Sequence, residues 1–193
     1  MSASVVLATR NPGKIVELRR ILSGLGRRLL TSAEVGLPDL PETGETFADN
    51  ALAKARAGVA VCGLACLSDD SGLVVDALGG QPGVRSARYS GRRDDQANLR
   101  LLLERMADVT DRRARFVCVA ALVAPDGREW TAEGVLEGSI AQAPRGSGGF
   151  GYDPVFVPLG QRRTTAELAP EDKDAISHRG KAFRTIRTAV AEL

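Results

Sequence analysis

Four segments of this chain gather residue types that can handle a phosphate, a hard cation or a planar base. The first is TRNPGK (9–14), between the apolar run SVVLAT (4–9) and a stretch with helical spacing. Asn11 can cap that helix and Pro12 suits its first turn. A helix start presents unpaired N–H groups and the positive end of the helix dipole, which together favour an anion. Thr9 adds a hydroxyl, Asn11 an amide and Lys14 a point charge. The segment lacks the G-x-x-x-x-G-K-[ST] spacing of a P-loop. Taken singly, it also reads as an ordinary cap beside a surface lysine.

The second segment is LSDDSG, where Asp69 and Asp70 stand side by side between the apolar runs LACLS and GLVV. Successive side chains of an extended chain point to opposite faces, so the two acids should not share one task. LPETGET (40–46) supplies Glu42 and Glu45. Mg²⁺ takes one or two carboxylates plus water and phosphate oxygens, so one acid of the pair with one glutamate would suffice. Each acid also reads as a turn residue or a cap. The third segment, GSGGFGYDP (146–154), allows close backbone approach to a ligand or a flexible turn, and Phe150 and Tyr152 offer rings for base stacking. It follows a hairpin instead of opening a helix, which argues against a dinucleotide fingerprint. The fourth, EDKDAISHRGK (171–181), places Lys173, His178, Arg179 and Lys181 around the start of the last helix. An arginine beside the chain's single histidine disfavours the imidazolium. The plain alternative there is a solvated basic helix start.

The elements that must position these groups follow from periodicity. SVVLAT reads as a strand feeding an amphipathic helix with Ile15, Leu18, Ile21, Leu22 and Leu25 on one face. Thr46 with Asp49 marks a second helix running to Gly63. LACLS and LVVDAL read as separate strands flanking the acids, and residues 93–109 as a third helix. Residues 115–124 and 128–140 read as a long hairpin turned at Pro125-Asp126-Gly127, followed by the short strand VFVP and a helix from 176 to the carboxyl end. The sum is an α/β fold with a mixed β-sheet.

The totals narrow the function classes. At 193 residues the chain suffices for one large domain or two small lobes, and we read residues 1–193 as a single domain. A net charge of +2 is too small for the footprint of a sequence-independent nucleic-acid binder. Cys62, Cys66 and Cys118, with one histidine, form a poor zinc set and read as reduced thiols in a cytoplasmic protein. The amino-terminal run lacks a basic start, and AGVAVCGLACL is too short to span a membrane. A phosphate clamp, hard-cation carboxylates, a glycine-aromatic loop and a donor cluster fit nucleotide phosphate chemistry.

As a set, LATRNPGKIVELRRIL, ETGETFADNALAKA, SDDSGLVVDALGGQPGVRSARYSG, GSGGFGYDPVF and KDAISHRGKAF resemble the inosine triphosphate pyrophosphatase family over nearly the whole chain. The resemblance implies Mg²⁺-dependent hydrolysis of deaminated purine nucleoside triphosphates (ITP, dITP, XTP) to the monophosphate and pyrophosphate. It also implies a long mixed sheet with two lobes around a central cleft, and a cytoplasmic homodimer. By position, Thr9, Arg10, Asn11, Pro12, Gly13 and Lys14 would form the phosphate loop. Glu42 and Asp70 would hold the metal, with Asp70 also the proton acceptor. Ser71, Phe150, Gly151, Tyr152, Asp153, Lys173, His178 and Arg179 would contact substrate; a positioned donor such as Arg179 would pair with the oxo group at C6 of the base. Arg10 and Asp49 depart from the common pattern of a small residue and a glutamate. The alternatives are a pyrophosphatase for modified pyrimidines and a nucleotide sensor that binds without hydrolysis.

Overall fold

The computed structural model describes residues 4–40 and 42–193; the first three residues of the amino-terminal run and Pro41 of LPETGET lie outside them. The chain divides into two compact units: Met1–Asp70, Cys118–Gly134 and Arg179–Leu193 form the first, and Ser71–Val117 with Val135–His178 the second. Among the described residues a six-stranded sheet has the order β2-β1-β3-β4-β5-β6. Its strands are β1 (Ser4–Leu7), β2 (Arg28–Thr31), β3 (Ala65–Val75), β4 (Arg113–Val123), β5 (Glu129–Ile140) and β6 (Phe156–Pro158). β1 pairs in parallel with β2 and β3, whereas β5 and β6 are antiparallel, so the sheet is mixed as expected.

In the first unit, strand alternation sorts side chains between two cores. Val5, Leu7, Ala65 and Leu67 pack with Leu18 and Leu22 from α1 (Pro12–Ile21) and its continuation, and with Phe183, Ile186 and Val190 of α5 (His178–Ala191). Val6, Ala8 and Cys66 pack instead with Ala51 and Ala55 of α2 (Phe47–Cys62). α2 begins where Thr46 accepts the Asp49 N–H and ends at Gly63, whose φ of 65° suits a residue without a Cβ. In the second unit, Leu73, Val75, Leu102, Met106, Phe116, Ile140, Tyr152 and Phe156 form the core around α3 (Asp95–Arg105).

Three expectations change. LACLS and LVVDAL are not two strands meeting at a turn: β3 runs unbroken through both acids, and Asp76–Leu78 forms a short 3-10 turn after it. Burial of both carboxylates beside cations lets charge sit in the middle of a strand. The carboxyl-terminal helix begins at His178, because Ser177 adopts an extended backbone that separates it from α4 (Pro170–Ile176). The third helix is confined to Asp95–Arg105, with Asp94 capping it.

Gly138 of β5 pairs with Pro158, and a Cβ there would collide with the Val157 carbonyl oxygen and the Phe156 ring. Gly138→Ala should cost about 1–3 kcal/mol, because backbone cannot yield as a side chain does. Thermal unfolding checks this: a Tm several degrees lower is expected, and an unchanged Tm would show that the strand yields freely.

Candidate functional site

The first unit holds the phosphate-loop segment and both candidate metal ligands. Asn11 Oδ1 caps α1 by accepting the Lys14 N–H at 3.1 Å, and Thr9 Oγ1 accepts the Asn11 N–H at 3.3 Å. Asn11 and Pro12 are exposed, and Thr9, Gly13 and Lys14 half-buried, so the helix start is open to an anion. Arg10 turns to the Leu37 carbonyl at 2.5 Å and ties this loop to the turn after β2. Lys14 Nζ lies 2.9 Å from Asp69 Oδ2.

Asp69 and Asp70 are 1% and 5% exposed, and the alternation of β3 gives them different neighbours. Besides Lys14, Asp69 Oδ2 accepts from Arg179 Nε at 3.4 Å and from the Cys118 thiol at 3.7 Å. Arg179 Nη1 donates to Glu17, one turn along α1 from Lys14. Charges therefore alternate through Lys14, Asp69, Arg179 and Glu17. Two donors of Arg179 are directed to carboxylates, so this residue helps to hold Asp69.

Asp70 meets α2. Its Oδ2 accepts from Asn50 Nδ2 at 2.9 Å, and the Lys54 ammonium lies 3.9 Å from its Oδ1 and 2.7 Å from Glu42 Oε1. The Asn50 side chain also accepts the Gly44 N–H at 2.7 Å, which anchors the loop carrying Glu42. Gly44 has no room for a Cβ against Asp49 and Asn50. Glu42 and Asp70 thus already converge on one cation, while Glu45 is exposed. Among the described residues no group of three or more His, Cys, Asp and Glu forms a metal cage.

Their surroundings shift the neighbouring carboxyls in opposite directions. Burial pushes Asp69 up, but Lys14, Arg179 and Lys54 outweigh it and hold the group well below the usual carboxylate range. Burial raises Asp70, Lys54 and Lys14 pull it back, and Glu42 adds to the rise, leaving it above its ordinary value. Burial disfavours the Lys54 ammonium, yet Asp69, Asp70 and Glu42 hold it charged more firmly than usual.

The second unit holds Ser71, the glycine-rich loop and the remaining expected contacts. Asp153 is buried and fixes that loop: its carboxylate accepts the Phe150 N–H at 2.8 Å, Thr165 Oγ1 at 2.8 Å and Lys173 Nζ at 2.5 Å. Gly149, at φ 70°, leaves the space the Asp153 carboxylate fills. Gly151 N–H donates to Asp95 at 3.0 Å. Phe150 remains part-exposed, with the Lys173 ammonium 5.3 Å from its ring centroid. Tyr152 does not offer a stacking face: it is buried in the core and its hydroxyl donates to the Ser86 carbonyl at 2.9 Å. His178 stacks on Phe116, with ring centroids 4.7 Å apart. Ser71 is half-buried in β3, directly after Asp70.

The sequence motifs assign no site role to Glu17, Asn50 or Lys54. A signal existed: the buried face of α2 is Asn50, Ala51, Lys54, Ala55 and Gly58, an amide and an ammonium within a stripe of small residues. Buried charges rarely stand without partners.

Because the folded state holds Asp69 below its unfolded value, the stability it contributes is present above the unfolded pKa and is lost as pH falls through the folded one. Urea unfolding should show wild-type stability falling below about pH 4. In Asp69→Asn that part of the acid slope should vanish; an unchanged slope would contradict the assignment.

The chain is 55% identical over 98% of both chains to a dITP/XTP pyrophosphatase of Streptomyces coelicolor. A HAM1 protein structure from Coxiella burnetii superposes with a TM-score of 0.89 at 42% identity, over 99% of this chain and 100% of that one. A structure named nucleoside-triphosphatase / dITP/XTP pyrophosphatase, from Mycobacterium abscessus, gives 0.77 at 53% identity over 95% and 98%. With residues 5–189 matching its family model, the chain belongs to the Ham1 family.

Proposed function

We propose that this chain is a nucleoside triphosphate pyrophosphatase that hydrolyses ITP, dITP and XTP to the monophosphate and pyrophosphate, with residues 1–193 acting as one catalytic domain. One observation carries the reading: Glu42 and Asp70 converge on a cation in the same unit as an open, Asn11-capped helix start bearing Lys14. That pairing of anion and cation chemistry suits a triphosphate with its divalent counter-ion. The names of the Streptomyces and Mycobacterium relatives support the substrate class.

Two carboxylates, one flanked by an amide, are the hard oxygen donors that Mg²⁺ takes, and the Lys54 ammonium between them shows that the pair accommodates positive charge. Glu42 and Asp70 are the residues that would hold the ion; when bound it supplies charge neutralisation on the phosphates. The α1 N–H groups, Thr9 and Lys14 orient the triphosphate. Asp70, raised above an ordinary carboxylate, accepts a proton from the water that attacks the α-phosphorus as pyrophosphate leaves. Phe150, in a loop that Asp153 and Lys173 hold, offers a ring on which a purine can stack. Three free thiols support a reducing, cytoplasmic setting, and the family resemblance supports a homodimer.

The direct test is pyrophosphate release from ITP, dITP, XTP, ATP and GTP, with and without Mg²⁺. The oxo group at C6 separates hypoxanthine and xanthine from adenine, and a buried donor left facing an amine can discriminate by on the order of 10⁴. The three deaminated nucleotides should turn over only with Mg²⁺ and far faster than ATP. A preference for ATP, or binding without release of pyrophosphate, would overturn the proposal.

A further inference from the structure

Cys62 and Cys66 lie outside the machinery described above, and the fold brings them together. Cys62 closes α2, and Cys66 is the second residue of β3. Gly63 makes the reversal between them: in its left-handed conformation its N–H donates to the Val59 carbonyl at 2.8 Å, so the chain turns back along the helix it has just left. α2 also approaches β3 closely, since a Cβ on Gly58 would collide with the Cys66 sulfur. The two Sγ atoms end 3.6 Å apart, and both thiols point to the Leu64 carbonyl, at 3.9 Å from Cys62 and 3.5 Å from Cys66.

The pair is asymmetric. Cys62 is half-buried and open to a small reagent, whereas Cys66 is sealed in the core beneath α2. Burial, with the Cys62 sulfur beside it, pushes the Cys66 thiol up, which keeps it protonated. Cys118 is fully buried and donates to Asp69, which sets it apart from this pair.

We propose that Cys62 and Cys66 are a peroxide-oxidisable dithiol, in which Cys62 reacts first and Cys66 resolves it to an intramolecular disulfide. In the first step the Cys62 sulfur attacks one oxygen of hydrogen peroxide. The O–O bond breaks, and the departing hydroxide takes the thiol proton as water, leaving a sulfenic acid. In the second step the Cys66 sulfur attacks the Cys62 sulfur. The S–O bond breaks, and hydroxide leaves with the Cys66 proton as a second water. Two thiols are thereby oxidised by two electrons and one peroxide is reduced to two waters. The bond clips the end of α2, which carries Asn50 and Lys54, to the start of β3, which carries Asp70. A thiol reductant reverses it.

The test treats the full chain with excess hydrogen peroxide, quenches with catalase, alkylates under denaturing conditions and reads intact mass. Treated wild type should be about 2 Da lighter before alkylation, and should take up one alkyl group where the untreated chain takes three. Dithiothreitol should restore all three. Cys62→Ser should lose both changes, and Cys66→Ala should stop at a sulfenic acid on Cys62 that dimedone traps. Peptide mapping must place the bond between residues 62 and 66. Sulfinic acid at Cys62 without mass loss, disulfide-linked dimers, or oxidation that persists in Cys62→Ser would each overturn the proposal. None of these readouts depends on pyrophosphatase activity.

Discussion

Two buried carboxylates on consecutive residues of one strand are the constraint around which the first unit is arranged. A buried ionised acid is tolerated only with cations and hydrogen-bond donors close by. β3 sends Asp69 and Asp70 to opposite faces, so each face must supply its own. On one face the supply is Lys14 from α1 and Arg179 from α5; on the other it is Lys54 and Asn50 from α2. The same three helices close the two apolar cores over the parallel strands. Packing and charge compensation are therefore set by one alternation, and a slip of one residue in β3 would exchange both at once.

The two environments assign different work. Asp69 is held firmly ionised and spends its charge on the Arg179 guanidinium, itself paired with Glu17, and on the lysine of the helix start. Its ionised form favours folding. Asp70 sits in a cage that raises its proton affinity, so its charge costs the fold something. The second unit repeats the first arrangement on a smaller scale. Asp153, gripped by Lys173 and Thr165, turns its carboxylate inward to fix the glycine-rich loop, and Phe150 is left as the ring that the loop presents.

Local signals carried much of this from sequence. Asn11 before Pro12, Thr46 with Asp49, Gly63 after a small-residue helix and Pro125-Asp126-Gly127 between apolar runs each have a short-range physical meaning, and each marks the element boundary it was read to mark. β2 is not visible in the sequence because Arg28–Thr31, one exposed and three half-buried residues, becomes a strand only by pairing with β1. The acid pair read as a turn because adjacent charges normally need water; the cations that replace water come from residues tens of positions away. Tyr152 read as a ligand surface because its glycine-rich neighbours hide that its ring belongs to the second core and its hydroxyl to Ser86. Long-range pairing is what local pattern does not record.

The division between a structural and a chemical carboxylate is tested most directly by measuring Asp69→Asn and Asp70→Asn side by side, for urea stability at pH 7 and for the rate of pyrophosphate release from ITP. Asp69→Asn should lose about 3–5 kcal/mol of stability, because it leaves buried cations uncompensated. Asp70→Asn should keep wild-type stability or exceed it, while its turnover falls by several orders of magnitude. Equal losses of stability in both variants, or an Asp70→Asn enzyme that turns over at the wild-type rate, would contradict the account.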